Sequence, residues 1–208
     1  MSIYGGKELG RQFRTVRQNT IQIAEDIPEE QYNHVPAPEC RSVGQMLTHI
    51  AVAPQMWEEA HGKQRVMTLV GFDFLALAER AKNEESKPRT KAEILELVRS
   101  RGESFAAWLE TLTPEMLSEM VTVADGSGAK SRFEQLLGVK EHEMHHRAQL
   151  MLIERQLGIV PHLTRQFNDR IAKMRAAPNR LNNRVVYNHW SLLLRSECMR
   201  GAAALIFR

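Results

Sequence analysis

The stretch SRFEQLLGVKEHEMHHRAQLMLIERQLG, Ser131 to Gly158, carries the signals that decide the fold. It opens with Ser131-x-x-Glu134, a hydroxyl acceptor at the N-cap and a carboxyl three residues on. Together these satisfy backbone N–H groups that a helix start leaves free. It closes at Gly158, the residue type that ends helices in a left-handed conformation, with Pro161 shortly after. A long helix from Arg132 to Leu157 is predicted between these signals.

The same punctuation recurs upstream. Ser42-x-x-Gln45 and Thr90-x-x-Glu93 are further capping boxes, each leading into an apolar-periodic run. The first predicts a helix from Val43 to about His61, ending at Gly62 and kinked at Pro54, where proline removes an internal hydrogen bond. The second predicts a helix from Lys91 to about Leu112 with Ile94, Leu97, Val98, Phe105, Trp108 and Leu109 as its buried stripe. An earlier helix, about Gly6 to Asp26, shows Leu9, Phe13, Val16, Thr20, Ile23 and Ile27 at three- and four-residue intervals. Thr113-Pro114 starts a short helix to about Met120, and residues 121–128 read as an extended segment and turn. Pro28–Glu39, with two further prolines, reads as an extended connection. Residues 63–89 are ambiguous, with Phe72–Ala81 as a candidate helix. Four long helices with few strand signals predict an all-α fold: an up-and-down four-helix bundle with short extra helices and a basic C-terminal extension. The bundle is placed at residues 1–164 and the extension at 165–208.

Composition sets the class. Hydrophobic residues at 43% and charged residues at 25% are ordinary for a globular protein. No stretch approaches the roughly 18 uninterrupted apolar residues of a membrane span. The N-terminus has no apolar core of a signal peptide, and Cys40 and Cys198 stand far apart in no ligand pairing. A reduced, cytoplasmic setting is the expectation. The net charge of +3 divides unevenly: residues 165–208 carry +7 and the remainder −4. A mildly acidic body gives no sign of a nucleic-acid surface.

Three of eight histidines fall within five residues, His142, His145 and His146. At about 100° per residue, His142 and His146 lie roughly 40° apart on one face, one turn apart. That spacing lets two imidazoles converge on one ion. His142 with His145 is the alternative pair. His49, among apolar residues of the second long helix, is the candidate third ligand; alone it would read as a buried histidine bonded to a carbonyl. Three neutral imidazoles favour Zn²⁺, Ni²⁺ or Fe²⁺ over Mg²⁺ or Ca²⁺. Three protein ligands also leave a coordination position open, as in catalytic sites.

Two segments, RSVGQMLTHIA (Arg41–Ala51) and HEMHHRAQL (His142–Leu150), followed by Arg155 and Gly158, resemble the DinB family of DinB/YfiT-like metalloenzymes. The resemblance covers roughly residues 5–163. Matched to the family's motifs, the metal ligands are His49, His142 and His146, with Arg147 and Gln149 completing the second run. Ala148 stands where the family usually has glycine. The resemblance implies a four-helix bundle, often a homodimer, with a divalent metal held by three histidines. It also implies chemistry of the thiol-dependent transferase type, with a low-molecular-weight thiol such as mycothiol or bacillithiol as cosubstrate, or of the hydrolase type. Many family members have no known reaction.

The alternatives are a non-catalytic metal-binding bundle and, more remotely, a zinc peptidase, since His142-Glu143-x-x-His146 matches that motif with Glu143 as general base. Charged residues crowd this helix, and Glu143 reads as outward and solvated. No catalytic residue is assigned. His145 reads as an exposed helix residue, and His34, His61, His162 and His189 receive no role. Trp57, Trp108, Met144 and Met151 read as core. The basic extension reads as loosely packed, despite the apolar Val185, Val186, Trp190 and Leu192–Leu194 within it.

Overall fold

A computed structural model of the chain describes residues 4–176, so the readings of Val185, Val186, Trp190, Leu192–Leu194, His189 and Cys198 lie outside the described residues. Four long helical runs form the bundle. They are α1 (Gly6–Asp26), α2 (Val43–Val52) continued by α3 (Pro54–Glu58) and a π-helical turn at Glu59–Lys63, α5 (Lys91–Glu110) and α7 (Arg132–Gln156). Between them lie α4 (Phe74–Glu85) and α6 (Pro114–Ser118). A hairpin of β1 (Met120–Thr122) and β2 (Ala129–Ser131) pairs Met120 with Ser131. Among the described residues no helix is long and apolar enough to cross a membrane.

The local signals act as their chemistry dictates. Ser42 and Thr90 each form the full reciprocal capping box, and Thr113 Oγ1 accepts from the Met116 N–H. Ser131 forms half of its box: Oγ accepts from the Glu134 N–H, while the Glu134 carboxylate turns to Lys130. Gly158 takes φ +78°, and the Ile159 N–H reaches back to the Glu154 carbonyl, closing α7. Pro54 divides the expected second helix into α2 and α3 instead of merely kinking it.

Contacts along the helices fix their directions. Gly6 faces Leu109 and Leu112 and Gly102 faces Arg17, so α1 and α5 run antiparallel. Gly44 faces Ile94 and Gly62 faces Trp108, so α2–α3 and α5 run parallel. Tyr4 meets Phe133 and Arg17 meets Glu143, so α1 and α7 run parallel. The four-helix bundle therefore runs up, down, down, up. The expected alternation holds from α1 to α2 and from α5 to α7. It does not hold from α2 to α5, because residues 63–90, including α4, return the chain to the starting end before α5 begins. Close approach of α1 to α5 needs glycine: a Cβ on Gly6 would stand 2.5 Å from the Leu109 carbonyl oxygen, and one on Gly10 2.7 Å from that of Ala106.

Ala60, Leu69 and Val121 form a small apolar cluster, and the core's two larger clusters have a polar layer between them. Ile23, Ile27, Leu47, Ile50, Val98 and Leu150 belong to one, and Phe13, Phe105, Leu109, Leu136 and Val139 to the other. In the layer, Arg17 Nε donates to both Glu143 carboxylate oxygens at 2.9 and 3.1 Å, and Nη2 donates to Oε2 at 2.9 Å. Thr20 Oγ1 adds a bond to Oε1 at 2.8 Å. Arg17 also reaches the carbonyls of Val98 on α5 at 2.8 Å and Ile50 on α2 at 2.9 Å. Ile50 is four residues before Pro54, whose ring nitrogen has no hydrogen to give it. The guanidinium thus satisfies the carbonyl that the proline orphans, while joining all four long helices.

Two expectations for α7 are corrected here. Glu143 is 1% exposed and lies on the buried face, because Arg17 neutralises it there. Met144 is 41% exposed instead of core, since it projects about 100° further round than Glu143. Met151 does pack, partly buried, against the first cluster. The stretch after Pro161 is also more ordered than its composition suggested: α8 spans His162–Ala176. The chain divides after Gln166, within α8.

Glu154 on α7 is fully buried, with no hydrogen-bond partner for either oxygen among the described residues. Burial first, then the charge of Asp26, push its carboxyl up to about 7. A folded-state value above the unfolded one gives stability that is full below about pH 4.5 and lost as pH rises through 7. Glu154→Gln should therefore gain on the wild type by about 2–3 kcal/mol between pH 5 and 8.5. Urea unfolding at the two pH values reads this directly.

Candidate metal centre

His49 sits on α2 between its Ser42 start and the Pro54 break, and His142 and His146 lie one turn apart on α7. Because α2 runs antiparallel to α7, the two helices present these side chains to one another. His142 Nε2 stands 3.2 Å from His49 Nε2 and 3.1 Å from His146 Nε2. The three ligand atoms all lie within 4.8 Å of one another. For an ion about 2.1 Å from each nitrogen, neighbouring ligand nitrogens stand roughly 3.0–3.4 Å apart. The two separations from His142 fall in that range. His146 is buried, His49 partly buried and His142 exposed, so the group opens to solvent on one side.

Two imidazoles are oriented from behind. Glu85 Oε1, at the end of α4, lies 2.7 Å from His49 Nδ1, and Gln149 Oε1 lies 2.8 Å from His146 Nδ1. A carboxylate and an amide oxygen only accept, so each Nδ1 carries the proton and each Nε2 presents a lone pair. Although one side of His142 is open, packing against the cluster desolvates its ring; that desolvation first, and then the neighbouring His146 and His49, push it down to about 4. Burial likewise lowers His146, with Gln149 opposing. Both rings are neutral at pH 7, the form that ligates a metal. Burial raises the Glu85 carboxyl, but its bonds to His49 and Arg41 outweigh burial and hold it below the ordinary range. Ligand histidines typically rely on such a partner. Glu85→Gln should therefore weaken zinc affinity about 10- to 100-fold, read by competition with a chromophoric chelator, while helix content stays unchanged.

The structure brings His49, His142 and His146 together and leaves His145 outside the group, its ring 4.9 Å from that of His146 on the exposed flank. Glu143 is fully engaged by Arg17 and Thr20 and has no free oxygen to serve as a base. Sequence reasoning missed Glu85 altogether. It lies 36 residues from His49, in a helix whose existence the periodicity left open. His61, given no role, is fully buried: its Nδ1 lies 2.9 Å from Arg132 Nη1 and its ring stacks on Trp57. Burial and then the Arg132 charge push it down to about 4.

Comparison with known proteins adds the family. The DinB superfamily profile matches residues 12–150. The uncharacterised protein YjoA of Bacillus subtilis is 25% identical over 151 residues, covering 70% of this chain and 86% of YjoA. The crystal structure of YjoA, a DinB-like protein, superposes with a TM-score of 0.55 at 20% identity, over 73% of this chain and 92% of that one. YfiT of Bacillus subtilis superposes with a TM-score of 0.57 at 15% identity, over 76% of this chain and 91% of that one. YfiT is described as a probable metal-dependent hydrolase with an unusual four-helix bundle topology. The profile spans most of α1, all of α2 and α7 as far as Leu150, so it includes all three histidines, and the chain belongs to the DinB superfamily.

Proposed function

We propose that the chain is a divalent-metal-dependent enzyme, hydrolytic in its broad class, with His49, His142 and His146 as ligands of Zn²⁺, Ni²⁺ or Fe²⁺. The observation that carries this reading is the convergence of three imidazoles, with His142 Nε2 3.2 Å from His49 Nε2 and 3.1 Å from His146 Nε2. Only one N–H could be placed among them, so the donor set is suited to a cation and not to internal hydrogen bonding. An ion held there supplies Lewis acidity, which acidifies a water or thiol. Glu85 and Gln149 hold two of the rings in the ligating tautomer, and the exposed side at His142 leaves room for a substrate. With Glu143 locked in the core, the peptidase reading loses its base. The description of YfiT as a probable metal-dependent hydrolase supports the hydrolytic class. We retain a low-molecular-weight thiol as the proposed alternative nucleophile and a homodimer as the proposed assembly.

The test is elemental analysis of protein purified without a metal-affinity tag, followed by a turnover screen on the reconstituted protein. Esters, amides and thiol-conjugation substrates form its arms, and light scattering reports the assembly. About one ion per chain with turnover of either type supports the proposal. One ion without turnover favours the non-catalytic metal-binding reading, and absence of stoichiometric metal overturns both.

A further inference from the structure

The two helical runs that carry the histidines also wall a cavity of about 510 Å³, lined by Trp57, Leu69, Phe74, Leu137 and Gly138 among others. Its place relative to the histidines is fixed at two points. His49 meets His142 at one end of the antiparallel α2–α3/α7 pair, and His61 meets Arg132 at the other. Trp57 and Gly138 lie between these anchors, and Gly138 precedes His142 by one turn, about 6 Å along α7.

Apolar and aromatic side chains form the larger part of the lining, with Lys130, Glu134, Gln135 and Glu141 supplying its polar part. Trp57 stacks on the buried His61 at 5.6 Å with the rings 9° from parallel, and Phe74 meets Trp57 edge-on at 6.2 Å. Leu69 joins the lining from the loop before α4. A Cβ on Gly138 would meet nothing within 4 Å, so that part of α7 offers open space where any larger residue would intrude. Glycine in a helix interior costs stability relative to alanine, and no close packing here demands it. Pockets of this size and lining bind small organic ligands through apolar contact.

We propose that this cavity takes a flat apolar group, aryl in size and shape, of a substrate whose reacting end lies at the three histidines. The inference rests on the metal-site reading above and narrows its substrate class to molecules with a metal-binding head and an aryl tail a few bonds away.

The experiment compares acetohydroxamic acid with 3-phenylpropanohydroxamic acid on the zinc-loaded full chain, by calorimetric titration. The two share a chelating head and differ in the aryl tail. The aryl compound should bind at least tenfold tighter. Gly138→Leu should erase that gain while leaving zinc content and acetohydroxamate affinity unchanged. Phe74→Ala, a second variant, should weaken the aryl compound alone. Equal affinities on the wild type overturn this inference and leave the metal centre standing, as does a gain that survives Gly138→Leu. Failure to load zinc at all overturns the metal-site reading, and this inference falls with it.

Discussion

Arg17→Met is expected to destabilise the fold by about 3–5 kcal/mol, the largest single effect anticipated here, because it strands Glu143 as a buried charge. The wild-type pair is held by bonds from Nε and Nη2, with the Arg17 side chain 4% and the Glu143 side chain 1% exposed. The same guanidinium satisfies the Ile50 carbonyl, which Pro54 cannot, and adds a second bond to the Val98 carbonyl inside α5, so its removal leaves a group on α2 unsatisfied as well as the carboxylate on α7. The double variant Arg17→Met/Glu143→Leu should recover most of the loss, since apolar replacement of a complete buried pair is often neutral or stabilising. It should not recover the orphaned carbonyl of Ile50, so a residual cost of about 1–2 kcal/mol is expected. Urea unfolding of the three proteins provides the test. A single variant no less stable than the double would show that Glu143 contributes as an isolated group and that the four-helix knot is not cooperative.

His146→Ala is expected to reduce zinc affinity roughly a hundred- to thousandfold, because structural zinc sites gain about 10–16 kcal/mol from four ligands, or about 2.5–4 per ligand. His146 is the proposed ligand whose removal is most informative. Its ring is oriented by Gln149 and its Nε2 closes one side of the group, 3.1 Å from His142 Nε2. His145→Ala, one residue away on the exposed flank, should leave affinity unchanged and serves as the control. Competition with a chelator of known affinity reads both variants, and circular dichroism confirms that the bundle persists. A loss in His145→Ala equal to that in His146→Ala would move the ligand assignment to the other pair.

The sequence was most informative where the physics is local. Ser42, Thr90 and Thr113 cap their helices and Gly158 ends α7, since capping joins residues only three or four apart. The i, i+4 geometry of His142 and His146 follows from helix pitch alone. Glu143 was misread because its helical environment looks charged, whereas its placement depends on Arg17, 126 residues away. A charged side chain's preference for water can be reversed by one well-placed partner, and no local pattern announces that partner. Glu85 escaped for the same reason: it is a surface-type residue on an unpromising helix until α4 folds back onto α2.

Composition, caps and periodicity by themselves determined an all-α chain and its long helices, and offered His142 with His146 or His145, together with His49, as candidate ligands. Tertiary structure alone decided the parallel run of α2 and α5, the burial of Glu143 and the Glu85 and Gln149 bonds behind the histidines. Helix formation is governed by neighbours within one turn. Helix direction, charge burial and the orientation of an imidazole are governed by groups that only the folded chain brings within hydrogen-bond reach.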